Sequence, residues 1–171
     1  MKVGLAGLPM SGKTTIFNLV TRGNAQLRDY FAQTEEINVG VIKVPDSRVD
    51  YLASIYKPRK VTYATIEFVD IPGVSKDETG FSRKTLSNLR LCDAIVFVIR
   101  LFTDTEVPHI RNSVDPKRDL EELTLEFILA DLELIEKRLE RISKDLKVGK
   151  KLDAMREKEV LERCKQALEK G

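Results

Sequence analysis

A short stretch near the amino terminus has the residue types and the spacing needed to bind phosphate groups. Residues 7–14 read GLPMSGKT and fit the pattern G-x-x-x-x-G-K-S/T. Gly7 and Gly12 allow the backbone to curl so that successive N–H groups point into one concavity. Lys13 can then reach the β- and γ-phosphates of a nucleotide, and the hydroxyl of Thr14 can coordinate Mg²⁺. The stretch therefore predicts binding of a nucleoside triphosphate, ATP or GTP, together with Mg²⁺.

Two further positions fit a protein that responds to the third phosphate. Asp70 ends an apolar run and begins a D-x-x-G motif with Gly73, where a carboxylate can lie near Mg²⁺ and the glycine N–H can approach the γ-phosphate. Thr34 lies in a polar stretch, where its hydroxyl or carbonyl could close over Mg²⁺ only when that phosphate is present. We predict a metal site at Thr14, Thr34 and Asp70. The alternatives are a residue that only ends a strand at Asp70 and an ordinary loop threonine at Thr34.

Alternating strands and helices would bring these side chains together. Apolar and alternating runs predict strands over residues 2–6, 37–44, 63–71 and 93–100, the last as a buried parallel strand. Helices are predicted directly after the phosphate-binding stretch and over residues 47–56 and 82–91. This order indicates an α/β layered domain.

The character of the chain changes after Pro116. Apolar residues then follow an a/d heptad spacing, at Leu125, Ile128, Leu132, Ile135, Leu139, Ile142 and Leu146. Gly149 interrupts this spacing, and a second stripe follows at Leu152, Met155, Val160, Cys164 and Leu168. We predict an antiparallel coiled-coil hairpin over residues 119–171, after a nucleotide-binding domain over residues 1–118. The alternative is a pair of helices that only caps the domain core.

Composition sets few limits on partners. The chain has 171 residues, with 29 Lys and Arg against 27 Asp and Glu, and its formal net charge of +2 neither demands nor excludes a nucleic-acid partner. Cys92 and Cys164 lie outside any metal-ligand cluster and are predicted to be free, buried thiols. No apolar run approaches the length of about 20 residues that spans a membrane, so we expect a cytoplasmic protein without a membrane partner.

In combination, these motifs resemble the YchF (Obg-like ATPase) family of translation-factor-class P-loop NTPases. The resemblance covers essentially the whole chain. It rests on residues 7–15, 33–38, 44–46, 68–73, 114–116 and 129–132. It implies a three-layer P-loop NTPase sheet interrupted by a helical coiled-coil arm, use of ATP as much as or more than GTP, and association with ribosomes or RNA.

The resemblance also implies roles for individual residues. Val74 stands where related GTPases place a water-orienting glutamine, and a side chain without a polar atom cannot orient water. His109 matches a loop histidine proposed for that role, and the alternative is a solvent-exposed loop histidine. Hydrolysis is therefore expected to be slow, with Lys13 and His109 as the catalytic residues. The nucleotide-binding set is Gly7, Pro9, Met10, Ser11, Gly12, Lys13, Thr14, Thr15 and Gly73.

The sequence departs from the family pattern at several points. Met10 and Ser11 replace the usual Asn and Val, and Pro72 replaces an Ala. No N-K-x-D or N-x-x-E motif follows residue 100, so base selectivity is not assigned to any residue. We expect the N-terminal part of a family domain whose sheet lacks its last strands, with the remainder supplied by a longer chain or by self-association. The remaining alternatives are a binding module without hydrolysis, whose arm is the functional part, and a small-molecule kinase.

Overall fold

The computed structural model describes residues 1–23, 37–71, 81–147 and 152–170, and it places four strands and five helices in them. The strands are β1 (Lys2–Ala6), β2 (Asn38–Lys43), β3 (Thr65–Asp70) and β4 (Ala94–Phe97). The helices are α1 (Lys13–Thr21), α2 (Ser47–Tyr56), α3 (Arg83–Arg90), α4 (Pro116–Lys147) and α5 (Leu152–Leu168). The predicted α/β fold class is confirmed.

The sheet brings two loop-bearing strand ends together. Its strand order is β2-β3-β1-β4, with β1 parallel to β3 and β4, and β2 antiparallel to β3. The central strand β1 is apolar and buried at Val3, Leu5 and Ala6. Leu5 lies beside Asp70 in the parallel register. Because parallel strands end at the same edge, the stretch after β1 and the carboxylate at the end of β3 lie at one edge of the sheet.

Strand β4 differs from its prediction. The expected buried strand over residues 93–100 is four residues long, and Ala94, Ile95 and Val96 are exposed. Among the described strands β4 pairs only with β1, so it forms an edge of the described sheet and has no neighbouring strand on its other side. The fully buried part of the apolar run lies after the strand, at Val98.

Helix α1 is fixed at both ends by left-handed backbone. Gly12 precedes the helix at φ 93°, and Arg22 follows it at φ 51°, with its N–H donating to the carbonyl of Asn18. Phe17 is buried. A Cβ on Gly40 of β2 would come within 2.5 Å of Thr21 Cγ2, so the glycine permits close packing of α1 on β2.

The chain divides into two compact units, residues 1–120 and 121–171. In the second unit, the end of α4 and α5 are antiparallel, because Arg138 Nε contacts Glu157 Oε1 at 2.6 Å and Lys165 Nζ contacts Glu136 Oε1 at 2.7 Å. We call residues 121–170 the helical hairpin. None of the described helices is both long and apolar enough to cross a membrane.

The covered faces of the hairpin differ in part from the predicted stripes. On α4 the spacing holds from Ile128 onward, and Ile142 is fully buried, but Leu125 is 53% exposed. On α5 the predicted positions Met155, Val160 and Cys164 are exposed. The half-covered positions are Ala154, Glu157, Lys158, Leu161, Lys165 and Leu168, and among them Leu168 is a position that the stripe predicted. The apolar stripe predicted the wrong face of α5 because the charged residues Glu157 and Lys165 lie on the covered face, where they bond to α4.

Candidate nucleotide-binding site

The phosphate-binding loop, residues 7–12, connects β1 to α1 and packs closely on the chain beyond β4. A Cβ on Gly7 would lie 2.4 Å from the carbonyl oxygen of Val98, so only glycine fits there. Gly12 has φ +93° and Met10 has φ 60°. Both lie in the left-handed region that side chains rarely adopt, and Met10 adopts it without the freedom of glycine. The loop thus has the curled backbone that the motif predicts.

Lys13, the first residue of α1, directly follows the loop, and it is buried. Its side chain is 7% exposed, and Nζ donates to the carbonyl oxygens of Gly7 and Leu8, both at 2.9 Å. The ammonium therefore folds back across the loop instead of extending into solvent. Its charge is held where the loop curls, a position suited to an anion.

The two predicted metal ligands that the structure describes, Thr14 and Asp70, are in direct contact. Thr14 Oγ1 donates to Asp70 Oδ2 at 2.8 Å, and Asp70 is fully buried. Oxygen ligands about 2.1 Å from Mg²⁺ in octahedral geometry are separated by roughly 3.0 Å along an edge. The two oxygens are therefore of the right type and close enough to share one Mg²⁺. Thr34 and Gly73 lie outside the described residues.

Few protein ligands are available for this metal. No group of three His, Cys, Asp or Glu side chains within the described ranges could hold a metal ion. Mg²⁺ is usually held by one or two protein oxygens with phosphates and water, so the pair at Thr14 and Asp70 fits Mg²⁺ and not an all-protein cage.

Asn38 is a site residue that sequence reasoning missed. It opens β2 opposite Asp70 in the antiparallel register, and its Nδ2 donates to Asp70 Oδ2 at 3.3 Å. The carboxylate oxygen thus accepts hydrogen bonds from two elements, α1 and β2. The contact follows from the antiparallel direction of β2, and the sequence pattern does not determine that direction.

The remaining predicted loop residues have different environments. Pro9 and Met10 are half-buried, and Thr15 at the start of α1 is exposed. Ser11 is only 6% exposed, and its Oγ has no hydrogen-bond partner among the described residues. The Ser11 N–H donates to the carbonyl of Leu8 at 3.3 Å. The structure thus brings residues 7–15 and Asp70 together, with the Ser11 side chain inside the loop.

His109 is buried, so the alternative of a solvent-exposed histidine is wrong. Its Nε2 lies 2.9 Å from Asp119 Oδ2, and its Nδ1 accepts the N–H of Arg111 at 3.1 Å. Because Nδ1 is an acceptor, Nε2 carries the proton that is donated to Asp119. Arg118 in turn donates to Asp119 Oδ1 through Nε and Nη2. Both ring nitrogens are engaged within residues 109–119.

A second buried charge, at Arg100, shapes the same segment. Arg100 is 2% exposed, and it donates to the carbonyls of Phe102 at 3.1 Å and Val107 at 2.7 Å. Its guanidinium also stacks on the Phe102 ring, 4.4 Å from the ring centre. These contacts fix the loop that leads to His109. Sequence reasoning included Arg100 in a strand and assigned it no role.

Comparisons with known proteins agree with this geometry. Residues 2–147 match the model of the family described as "50S ribosome-binding GTPase". The chain is 41% identical over 172 residues to the ribosome-binding ATPase YchF of Bacillus subtilis, and 39% identical over 171 residues to that of Escherichia coli O157:H7. It covers 47% of each of these relatives, and 99% and 98% of the chain itself is matched.

A solved structure gives the same result. The YchF GTPase of Schizosaccharomyces pombe superimposes with a TM-score of 0.72 and 32% identity, over 98% of this chain and 47% of that chain. The chain therefore spans about half the length of the relatives that it matches. The resemblance found in the sequence is confirmed: the chain belongs to the 50S ribosome-binding GTPase family of P-loop proteins, and within that family to the YchF group.

Proposed function

We propose that this chain is a nucleotide-dependent switch that binds Mg²⁺ with ATP or GTP, hydrolyses the β–γ bond slowly and associates with ribosomes. The observation that carries the proposal is the arrangement of the buried Lys13 and Asp70 with the half-buried Thr14 at one edge of the sheet. A buried ammonium and a buried carboxylate are costly in free energy. A ligand that carries both phosphate and a divalent cation complements both charges.

The chain's own residues would act by position and charge. The N–H groups of Gly12, Lys13, Thr14 and Thr15 lie at the start of α1, where a helix favours anions. Lys13 would exchange carbonyl contacts for the β- and γ-phosphates, while Thr14 and Asp70 would hold Mg²⁺, with Thr34 as a third ligand and Gly73 near the γ-phosphate. Mg²⁺ supplies charge neutralisation on the phosphate oxygens.

We propose His109 as the group that orients the attacking water. To do so, Nδ1 has to release the N–H of Arg111, while Asp119 keeps Nε2 protonated. His109→Ala should lower the hydrolysis rate about tenfold or more and leave nucleotide affinity unchanged. A rate equal to that of the wild type would remove His109 from the catalytic set.

Phosphate release from the purified chain tests hydrolysis against the alternative of a binding module. Steady release that requires Mg²⁺ and is lost in Lys13→Ala supports the enzyme. Nucleotide binding without phosphate release supports a binding module in which the helical arm, residues 119–171, is the functional part.

Selectivity between bases is tested by competition. No base-specificity motif follows residue 100. The chain would therefore recognise the triphosphate, which is the same in ATP and GTP, and not the base. A competition titration should show less than about tenfold discrimination, roughly 1.4 kcal/mol. Sharp selectivity would mean that residues assigned to loops or to the hairpin form a base pocket.

Ribosome association is proposed from the relatives, whose name describes them as ribosome-binding. We also propose the cytoplasm as the location, where ribosomes are found. Co-sedimentation of the chain with purified ribosomes, with and without nucleotide, tests the association. Recovery of the chain only in the supernatant would contradict it.

A further inference from the structure

Helix α2 exposes a cluster of large side chains that the nucleotide site does not use. None of its residues is buried. The exposed fractions of Tyr51, Leu52, Ile55 and Tyr56 are 67%, 52%, 53% and 76%. Their spacing of three and four residues places them on one side of the helix. Contiguous exposed apolar side chains of this kind mark an interaction site.

Three cations directly follow this cluster. Lys57, Arg59 and Lys60 are exposed, and none of them forms an ion pair with a residue that the structure describes. Lys57 ends α2 in a left-handed conformation at φ 44°, with its N–H donating to the carbonyl of Ala53 at 2.9 Å. The chain therefore turns at Lys57, next to the exposed Tyr56.

The basic segment then returns along the helix. The Tyr63 hydroxyl donates to the carboxylate of Asp50, which lies in the first turn of α2. The Val44 N–H donates to the carbonyl of Ala64 at 2.8 Å. Residue 57 is thus bonded near the end of α2 and residue 63 to its first turn, so Arg59 and Lys60 lie in the segment that connects these two points. We call Tyr51, Leu52, Ile55, Tyr56, Lys57, Arg59 and Lys60 the α2 surface.

The nearby carboxylates do not neutralise these cations. Asp46 bonds to Arg48 Nη2 at 2.7 Å, and this partner lowers the pKa of the Asp46 carboxyl. Asp50 accepts a hydrogen bond from the uncharged Tyr63 hydroxyl, so it keeps its negative charge and offsets only one of the three cations. The α2 surface is therefore positively charged, with two tyrosine rings beside its cations.

We propose that the α2 surface binds single-stranded RNA. Exposed aromatic rings provide stacking platforms for bases, and adjacent Lys and Arg side chains contact the phosphates. This inference rests on the proposed ribosome association and names the surface and the chemistry through which it occurs. A protein ligand of α2 or a second copy of the chain would use Leu52 and Ile55 more than the cations.

The first test measures the contribution of the cations. Fluorescence anisotropy of a labelled, mixed-sequence RNA of about 12 nucleotides is titrated with the whole chain. The triple variant Lys57→Ala, Arg59→Ala and Lys60→Ala should bind about tenfold or more weakly. The slope of log affinity against log salt should shrink by about 2, since each phosphate contact contributes about 0.7 for single strands.

A charge-matched control separates the α2 surface from general basicity. Helix α3 carries the exposed residues Arg83, Lys84 and Arg90. Replacing all three with Ala removes the same charge and should leave RNA affinity within about twofold of the wild type. Equal losses in both triple variants would overturn the assignment.

The second test measures stacking. Tyr51→Ala with Tyr56→Ala should weaken RNA binding about tenfold or more, whereas the double Phe variant should bind like the wild type, because stacking requires the ring and not the hydroxyl. Since these side chains are exposed, circular dichroism and the thermal midpoint should be unchanged. Loss of affinity in the Phe variant would contradict stacking.

Ribosome co-sedimentation distinguishes failure of this inference from failure of the proposed function. Sedimentation that is insensitive to all α2 variants would overturn the α2 surface and leave ribosome association standing. A chain that binds ribosomes through Leu52 and Ile55, but binds no free RNA, has a protein ligand there, which also overturns the proposal. A change of oligomeric state in the Leu52→Ala, Ile55→Ala variant would assign the face to a second copy.

Discussion

The phosphate-binding loop and the helical hairpin hold their charges in opposite ways. In the loop region, Lys13 and Asp70 are 7% and 0% exposed and bond to groups of the surrounding fold. In the hairpin, the side chains of Arg138 and Glu157 form an ion pair while 48% and 40% exposed. Buried charges are costly unless their partners are well placed, whereas exposed pairs contribute little.

The two regions also differ in backbone strain. Met10 has φ 60° and Ser11 Oγ is buried without a hydrogen-bond partner among the described residues, both within the loop. No described residue of the hairpin has positive φ. Of these two regions, the loop is therefore the one that holds a strained residue and an unsatisfied buried polar group, as is common where function and stability compete. Substitutions in the loop should change function strongly, and those in the hairpin weakly.

The sharpest test of this contrast is Lys13→Ala. The change removes the side-chain cation placed within the loop and should weaken Mg²⁺–ATP binding by at least about 100-fold, roughly 2.7 kcal/mol. Isothermal titration calorimetry on the folded chain measures the loss. Lys2→Ala is the matched control, because Lys2 forms a surface ion pair with Glu67 at 3.2 Å. Unchanged affinity in Lys13→Ala would contradict the assignment of the phosphate site.

Asp70→Asn tests the proposed metal site. The amide keeps the shape of the side chain, and its oxygen can still accept the Thr14 hydroxyl, so the fold should persist. The negative charge near Mg²⁺ is lost, so the enhancement of ATP affinity by Mg²⁺ should fall about tenfold. Titrations with Mg²⁺ and with a chelator measure it. Thr14→Ser keeps the hydroxyl and should retain the enhancement. An enhancement of wild-type size in Asp70→Asn would exclude Asp70 from the metal site.

Local motifs predicted the loop better than any other part of the molecule. The glycine, lysine and threonine spacing follows from phosphate chemistry, so Gly12, Lys13 and Thr14 were assigned correctly to a strand–loop–helix unit. The contact of Thr14 with Asp70 follows from the parallel pairing of β1 and β3, which the α/β pattern indicates. Asn38 could not be assigned, because its contact depends on the antiparallel direction of β2.

Patterns that depend on tertiary packing were less reliable. The apolar run at residues 93–100 predicted a buried strand, but β4 is an edge with exposed Ile95 and Val96. On α5, the apolar stripe placed Met155 and Val160 inside, whereas the ion-paired Glu157 lies on the covered face. Long charged side chains can cover a helix interface with their aliphatic parts, so hydropathy alone assigned the wrong face.

The effect of strain is tested by Met10→Asn. Left-handed backbone costs roughly 1–2 kcal/mol for most residues, and Asn adopts it more readily because its short polar side chain bonds locally. The change should therefore raise the free energy of unfolding by about 1 kcal/mol in urea titrations. Met155→Asn is the matched control. It lies exposed on α5, where Asn has a lower helix propensity, so it should destabilise slightly. Destabilisation by both variants would show that the loop is not strained at Met10.

The smallest effect is expected at the exposed ion pair of the hairpin. Arg138 bonds to both carboxylate oxygens of Glu157, at 2.6 and 2.8 Å, and this hydrogen bonding lowers the pKa of Glu157. A carboxylate with a lowered pKa in the folded state stabilises that state above its unfolded pKa, and the contribution is lost as pH falls through the folded value. Glu157→Gln should therefore speed amide hydrogen exchange in α5 slightly at about pH 7. The difference from the wild type should disappear in strong acid or at about 1 M salt.

Glu159→Gln is the control, since Glu159 is exposed on the same helix without an ion pair to any described residue. Two results would contradict this expectation: a change of about 1 kcal/mol in the free energy of amide exchange, or a change that persists in strong acid. Either would mean that the hairpin depends on this ion pair as the loop depends on its buried charges.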